Sequence, residues 1–326
     1  MRSEIEQLAL DIARCSELSV AVTDTKHSCH KIVSAQSYLG TTYRQSPEPW
    51  AGNLVSAPVL FIASNPSISE SEDVGEVYPR TDYATSRTNH PEWSEDIVVD
   101  FHTNRFDQVR VRPFVTSKAQ YLSRDGNYRG SDSSAPGKGS QTYWRNAIKE
   151  AKFILGREID LGHDLCLTEV VHCKTRNEKD KSNKPVGLEE ALFSCAGKYL
   201  ERIVTLSEAN MFVISGKVAR TAVTTPAKWQ PKSQIEWDLD VDRFGQLPKF
   251  RGIPSAHLGI ANIAGSPRIV CAMRHLSNGY GCGTFEGALG IEGAQALAGL
   301  MQSIQAGTET VPKTRVELLK RLGLDD

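Results

Sequence analysis

Polar residues follow short apolar runs at three points of the sequence. Asn65 comes directly after the run 58–64, Glu169 lies near the end of the run 164–171, and His275 comes shortly after the run 268–273. Asparagine and histidine side chains can orient water or a leaving group through hydrogen bonds, whereas an ionised glutamate can only accept them. Polar groups of these types at the ends of apolar segments indicate a site for catalysis or recognition.

The apolar runs predict buried strands that alternate with helices. Alternation of this kind is typical of an α/β fold with a parallel sheet covered on both faces, and ligands bind such sheets beyond the carboxyl ends of the strands. We therefore expect the chemistry after Ser64, Val171, Ser215 and Met273. The predicted strands are 58–64, 164–171, 210–215 and 268–273, and the predicted helices are 3–15, 143–155, 187–206, one that opens at 216–217, 285–305 and 313–322.

A single domain over residues 1–326 is the expected organisation, because this length suits one large α/β domain. Within it, residues 1–57 are expected to form an N-terminal helix and a loop-rich lead-in. Residues 79–141 show no clear period and are rich in Ser, Gly, Asp and Arg, which predicts a partly flexible insert.

The overall composition leaves a nucleic-acid partner open. The formal net charge is −1, so any positive surface that binds nucleic acid must be local. No apolar run approaches the ~20 residues of a membrane span, and the N-terminus reads as an amphipathic helix rather than a signal peptide. We therefore expect a cytoplasmic monomer without a membrane partner, whose 7 cysteines are reduced thiols or metal ligands.

Two segments at the ends of predicted strands carry characteristic spacings. Pro66 follows Asn65, Gly75 lies 10 positions after Asn65, and Tyr78 lies 13 positions after it. A second segment, 274–279, contains His275, followed by Leu276 and by Ser277. These segments resemble the two active-site motifs of the uracil-DNA glycosylase superfamily, although Leu276 stands where the family has a Pro. The resemblance covers roughly residues 58–80 and 143–285, and it implies a three-layer αβα sandwich around a central, mainly parallel four-stranded sheet.

The segments around two cysteines resemble the iron–sulfur branch of that superfamily. Cys173 follows a Val-Val-His sequence, and Cys195 precedes a Tyr-Leu pair. The resemblance implies that Cys173 and Cys195 ligate a structural [4Fe–4S] cluster. Such a cluster needs four thiolates, and Cys15 and Cys29 are the N-terminal candidates. The alternative is that these residues are buried free thiols.

The resemblance further implies a monofunctional DNA glycosylase, which flips a pyrimidine out of DNA and leaves an abasic site. Asn65 would orient the attacking water, and His275 would donate a hydrogen bond to the base oxygen beside the glycosidic nitrogen. Tyr78 would stack on the extruded base. The alternatives are a structural histidine at a strand end and an ordinary core tyrosine.

Two departures from the family pattern bear on the substrate. Glu169 stands where the iron–sulfur branch has an Asn that reads uracil, and Ser67 stands where uracil-specific relatives have a bulky aromatic residue. An ionised Glu favours the exocyclic amine of cytosine, and Ser leaves room at the 5-position. We therefore expect a 5-modified cytosine, such as glucosylated hydroxymethylcytosine in anti-phage defence. In the alternative, Glu169 points elsewhere and pairs with Lys174 or Arg176.

DNA is the expected partner, held by basic residues and by the loop after His275, in which Leu276 or Tyr280 would fill the gap in the base stack. A generic basic rim is the alternative for each cation. Three other functions stay open: a uracil-DNA glycosylase of base-excision repair, a non-catalytic reader of modified bases, and a nucleoside hydrolase. The residues expected to contact DNA are Lys174, Arg176, Lys217, Arg274, Leu276, Ser277, Asn278, Gly279 and Tyr280.

Overall fold

The computed structural model describes most of the chain, and its helices and strands confirm the α/β class. No described helix combines the length and the apolar character that a membrane crossing requires. The described residues are 2–36, 43–66, 80–82, 94–106, 120–122, 124–125, 128–130, 142–175, 186–225, 235–239, 256–276 and 283–324.

The chain divides into two compact units, each assembled from three separate segments. The expectation of a single domain therefore stays a prediction. The first unit comprises Met1–Gly52, Asn65–Gly139 and Thr168–Leu206, and the second comprises Asn53–Ser64, Ser140–Leu167 and Ser207–Asp326.

The main sheet of the described residues is mixed and has seven strands in the order β2-β7-β3-β8-β11-β10-β9. Strand β8 is parallel to both β3 and β11, whereas β10 is antiparallel to both β9 and β11. Two small antiparallel pairs, β1 with β4 and β5 with β6, lie outside it. The strands are β1 (Tyr43–Gln45), β2 (Trp50–Gly52), β3 (Val59–Ala63), β4 (Arg80–Asp82), β5 (Gln120–Leu122), β6 (Tyr128–Gly130), β7 (Leu165–Glu169), β8 (Met211–Ser215), β9 (Ile235–Leu239), β10 (Ala256–Ile263) and β11 (Ser266–Met273).

All four predicted strands are present, as β3, β7, β8 and β11. Strands β3, β7 and β8 are buried at every residue, as their continuous apolar sequences predict. The expectation of a four-stranded sheet is nevertheless wrong, because β2, β9 and β10 extend it. Strand β10 joins β11 through Ala264 and Gly265, whose φ angles of 50° and 83° are both positive, as a two-residue hairpin of the primed type requires. Ala-Gly is not a typical sequence for such a turn, so the sequence did not indicate the hairpin.

The predicted helices are also present, and further short helices occur where loops were expected. Helices α2 and α3 lie in the expected lead-in, and α4 lies in the expected insert. Helix α1 begins at Ser3, whose side chain and that of Glu6 form a capping box. The described helices are α1 (Glu4–Ala13), α2 (Glu17–Thr23), α3 (His30–Ser34), α4 (Glu95–Thr103), α5 (Thr142–Leu155), α6 (Leu188–Cys195), α7 (Glu201–Leu206), α8 (Lys217–Thr224), α9 (Phe285–Gln305) and α10 (Arg315–Arg321), with a π-helical turn Ala196–Leu200 between α6 and α7.

Each unit has a helical layer of its own. In the first unit, α1 and α4 share a buried apolar cluster of Leu10, Ala13, Val98 and Val99. In the second unit, α5 packs against α9, where the rings of Phe153 and Phe285 stack with their centroids 6.5 Å apart. These contacts bury the apolar stripes that the helical periodicity predicts.

Candidate functional site

In the second unit, the carboxyl ends of β3, β8 and β11 lie at the same edge of the sheet. The parallel register pairs Ile62 with Ile214 and Ser215 with Met273. Strands β3 and β8 are neighbours in the sheet. After β3 the chain continues to β7, towards one edge of the sheet, and after β8 it continues to β9, β10 and β11, towards the other edge. Reversals of this kind create the crevice in which open α/β sheets bind ligands.

Gly216 allows the residues after these three strands to approach one another. Its φ is 93°, and a Cβ atom added there would lie 3.1 Å from Cδ2 of His275 and 3.3 Å from Oγ of Ser64. The Gly216 N–H donates to the carbonyl of Met273 at 3.0 Å. A larger residue would push the imidazole away, so glycine is required by both backbone angle and space.

His275 is a neutral hydrogen-bonding group at this edge. The surrounding protein partly desolvates the ring and lowers the pKa of His275, although the side chain remains exposed on one side. The Tyr143 ring lies against it, with the two centroids 5.0 Å apart. A neutral imidazole carries one N–H, which can donate to an oxygen that gains negative charge during a reaction.

The residue after His275 anchors the loop through its backbone. Leu276 is fully buried in the described structure, and the expectation that it fills a gap in the base stack stays a prediction. Its N–H donates to Oγ of Ser215 at 3.1 Å, and its carbonyl accepts from the Asn146 side chain. A Cβ atom on Gly283 would lie 2.5 Å from the carbonyl oxygen of His275. No local sequence pattern indicated Asn146 or Gly283, because both act through the backbone of a distant segment.

In the first unit, hydrogen bonds fix the orientation of the Asn65 side chain. Its amide nitrogen donates to Oγ1 of Thr175 at 2.8 Å and to the carbonyl of Pro66 at 3.0 Å. The Thr175 N–H donates to the same carbonyl at 3.1 Å. The amide donors are thereby occupied, which leaves the side-chain oxygen to accept a hydrogen bond from water.

The same unit contains a buried group of charged side chains, which we call the charge cluster: Glu48, Arg105, Glu169 and Lys174. Glu48 forms ion pairs with Arg105 and with Lys174, the latter at 3.5 Å. Lys174 is only 1% exposed and pairs with Glu48 in the described structure, so the expectation that it contacts DNA phosphate stays a prediction. Its ion-pair partner, Glu48, lies in a distant segment of the chain. The local sequence around Lys174 therefore indicated an exposed lysine.

Glu169, the last residue of β7, is buried beside these cations. Burial raises its pKa to about 7, against the opposing effects of Arg105 and Lys174. Within the described residues, Oε2 of Glu169 has no hydrogen-bond partner. A buried carboxyl group of this kind can exist in either protonation state near neutral pH, as acid–base groups of active sites do.

Two buried histidines accompany the charge cluster, and the sequence analysis did not identify either one. Burial lowers the pKa of both His102 and His172 to about 3, so each is neutral at pH 7. Nδ1 of His172 lies 2.8 Å from the carbonyl oxygen of Glu48. In the described part of the chain, neither ring nitrogen of His102 has a hydrogen-bond partner. These neutral rings make the interior around the charge cluster polar without adding charge.

Basic residues gather on the second unit near the end of β11. Lys217 is exposed at the start of α8, and Arg274 is partly exposed beside His275. Burial and the neighbouring charge of Arg274 lower the pKa of Arg220. Arg220 was missed because it lies within a helix and away from the motifs. Lys217 and Arg274 therefore remain candidates for phosphate contacts.

Four cysteines of the first unit lie within electrostatic range of one another, and they are the four expected to bind a cluster. Burial raises the pKa of Cys173, and Cys195, Cys29 and Cys15 raise it further, in that order. The His172 N–H donates to Sγ of Cys195 at 3.4 Å. Among the described residues, no group of three or more potential ligands suits a single metal ion. In a [4Fe–4S] cluster each thiolate binds a different iron, so the sulfurs need not converge on one atom.

The remaining predicted site residues cannot be placed. They lie outside the described residues. They are Ser67, Tyr78, Arg176, Ser277, Asn278, Gly279 and Tyr280.

The comparisons leave the family open. No protein-family model and no curated protein matches the chain. The geometry of the described residues must therefore carry any functional argument.

The burial of Glu169 has a measurable consequence for stability. Because its folded pKa is raised, its favourable contribution is complete below the ordinary pKa of 4.5 and is lost as the pH rises through about 7. Between about pH 4 and pH 8, Glu169→Gln should therefore gain about 3 kcal/mol of unfolding free energy relative to the wild type, at ~1.4 kcal/mol per pKa unit. Urea unfolding at both pH values measures this gain. The exposed Glu292→Gln should show no such change, and a pH-independent difference for Glu169→Gln would contradict the assignment.

The basic residues generate a second expectation. If DNA is the partner, Lys217→Ala and Arg274→Ala should each weaken its binding at every sequence and reduce the slope of log affinity against log salt by about one. Fluorescence anisotropy of labelled DNA over a salt series measures both effects. Lys320→Ala, on α10, is the matched control and should bind like the wild type. Equal slopes for all four proteins would exclude these cations as phosphate contacts.

Proposed function

We propose that this protein is a DNA glycosylase, which extrudes a pyrimidine and hydrolyses its bond to deoxyribose. The observation that carries the proposal is the neutral imidazole of His275, held at the reversal of strand order by Gly216 and beside Ser64. Cleavage of an N-glycosidic bond develops negative charge on the departing base, and a preorganised donor stabilises that charge. The three-layer αβα sandwich of the uracil-DNA glycosylase superfamily is part of this proposal.

The roles of the other residues follow from their contacts. Asn65, oriented by Thr175, would accept a hydrogen bond from the attacking water through its side-chain oxygen. Lys217 and Arg274 would neutralise phosphates of the DNA. No lysine is assigned to a covalent step, so the expected product is an abasic site.

Glu169 supports a cytosine rather than a uracil as the substrate. Its carboxyl group can accept a hydrogen bond from the exocyclic amine of cytosine, which uracil lacks. Ser67 would leave space at the 5-position of the ring. A 5-modified cytosine, such as the glucosylated hydroxymethylcytosine of phage DNA, is therefore the proposed target, and defence against phage is the proposed context.

A [4Fe–4S] cluster is proposed as a structural element of the first unit. Cys15, Cys29, Cys173 and Cys195 would ligate it, and the His172 N–H would donate to one of its thiolates. When bound, the cluster would stabilise these cysteines as thiolates, the form that burial and the neighbouring cysteines otherwise disfavour. The proposed reaction uses no redox chemistry.

Iron analysis tests this cofactor. Anaerobically purified wild-type protein should be brown and contain about four iron and four sulfide ions per chain. Cys173→Ser and Cys195→Ser should lose most of both. Cys271→Ala should retain them, because Cys271 is an equally buried cysteine of the other unit. Iron-free wild-type protein, or equal loss in the Cys271 variant, would refute the assignment.

The glycosylase proposal is tested by the bases that the protein releases. DNA that contains glucosylated hydroxymethylcytosine, cytosine or uracil is incubated with the protein, and the free bases are separated by liquid chromatography. We expect release of the modified cytosine, together with strand breakage only after alkali. His275→Ala should slow release by about 10²–10³-fold without loss of DNA binding, because it removes the donor to the leaving base.

The outcomes separate the competing functions. His163→Ala changes an exposed histidine of the same unit and should retain full activity. Release of uracil alone would favour a repair glycosylase, and tight binding without release of any base would favour a non-catalytic reader. Activity on free nucleosides alone would indicate a nucleoside hydrolase.

A further inference from the structure

We propose that Glu169 is the general acid of this reaction and transfers its proton to N3 of a cytosine ring as the glycosidic bond breaks. This inference rests on the proposed glycosylase function. It assigns to Glu169 a chemical step, in addition to recognition of the base. Two structural features support it: an unpartnered carboxyl oxygen in the protein interior, and cations that can stabilise the carboxylate after the transfer.

The first feature is the position of the carboxyl group. Glu169 ends β7, is 5% exposed, and offers Oε2 without a hydrogen-bond partner among the described residues. A protonated carboxyl group donates through one oxygen and accepts through the other. It therefore matches the edge of a neutral cytosine, where N3 accepts and the exocyclic amine donates.

The second feature is the set of charged groups around Glu169. Arg105, which follows α4, and Lys174, which follows β7, both favour its ionised form. Glu48, which precedes β2, forms ion pairs with both of these cations. Two cations therefore share one fixed carboxylate, and ionisation of Glu169 would balance the charge cluster. His102 and His172 are neutral and add no competing charge.

The protonation of Glu169 suits this role near neutral pH. Burial keeps the proton on the group and raises its pKa to about 7, while Arg105 and Lys174 limit the rise. An acid with a pKa near the working pH combines a large protonated fraction with efficient transfer. A carboxyl group that was fully exposed would be ionised at this pH and could not donate.

The proposed proton transfer conserves atoms and electrons. The proton of Glu169 forms a bond to N3, and the electron pair of the C1′–N1 bond remains on N1. The base departs as a neutral cytosine tautomer, and Glu169 becomes a carboxylate. A water oxygen bonds to C1′ of the sugar and releases a proton, which restores Glu169 after the base has left. Uracil needs no such proton at N3, because that nitrogen already carries one.

Glu169→Gln separates proton transfer from recognition. A glutamine amide can still donate to N3 and accept from the exocyclic amine of cytosine, but it cannot deliver a proton. The same amide can also pair with uracil: its oxygen accepts from N3–H, and its nitrogen donates to the carbonyl oxygen that uracil has in place of the exocyclic amine of cytosine. Excision is measured in single turnovers on duplexes with one glucosylated hydroxymethylcytosine or one uracil, between about pH 5.5 and pH 8.5.

The wild type should lose about tenfold in rate on the modified cytosine for each pH unit above the pKa of Glu169, as its protonated fraction falls. Glu169→Gln should be slower on this base by about 10²-fold or more, without pH dependence, while its DNA affinity is unchanged. On uracil, Glu169→Gln should be as fast as the wild type or faster. A residue that only supports the fold would slow both bases alike.

Failure of this inference is distinguishable from failure of the proposed function. If the wild type releases the modified cytosine and Glu169→Gln matches it in rate and pH profile, Glu169 is not the acid, although the enzyme is a glycosylase. If the wild type releases no base, the glycosylase function fails and the inference with it. If the variant does not fold, the wild-type profile decides alone, and a rate that stays constant above the pKa overturns the proposal.

Discussion

The parallel register of β3, β8 and β11 is the constraint on which the second unit depends. Because these strands are apolar and paired in register, their carboxyl ends must lie at one edge of the sheet. The segments that follow these strands therefore lie close together. Gly216 permits this close approach because it has a positive φ and no side chain, so His275 can lie between the strand ends. A feature of backbone packing thus determines where the exposed imidazole of His275 lies.

The charge cluster of the first unit imposes a different constraint. Three of these four side chains are buried, and Arg105 is 16% exposed. Burial of an ion costs several kcal/mol of desolvation, and apolar residues of similar size often give equal or greater stability. Glu48 offsets part of this cost by pairing with two cations at once. Stabilisation of the fold therefore explains the charge cluster poorly, and the proposed acid–base function of Glu169 explains it better.

The sequence predicted the elements with strong local signals and missed those that depend on distant partners. Continuous apolar runs located β3, β7, β8 and β11, and helical periodicity located α9, although Gly290, with a φ of 78°, interrupts its helical backbone. Strand β10 was missed because its sequence mixes Ala, Gly and Asn and its turn lacks the usual residues. The burial of Lys174 could not be predicted either, since Glu48 lies more than a hundred positions away. The local patterns around Cys173 and Cys195 named two of the four cysteines that influence one another electrostatically, and their role as cluster ligands stays a prediction.

Desolvation shifts the pKa values of the two groups that carry the proposed chemistry in opposite directions, and in both groups it favours the neutral form. It lowers the pKa of a base, His275, and raises the pKa of an acid, Glu169. Near neutral pH, each residue can therefore hold the neutral form that donates a hydrogen bond through an uncharged group. A departing base gains electron density at its oxygen and at its ring nitrogen, and neutral donors stabilise this density without the cost of desolvating a cation. In the proposed reaction, each group can therefore take the neutral state that base departure requires near neutral pH.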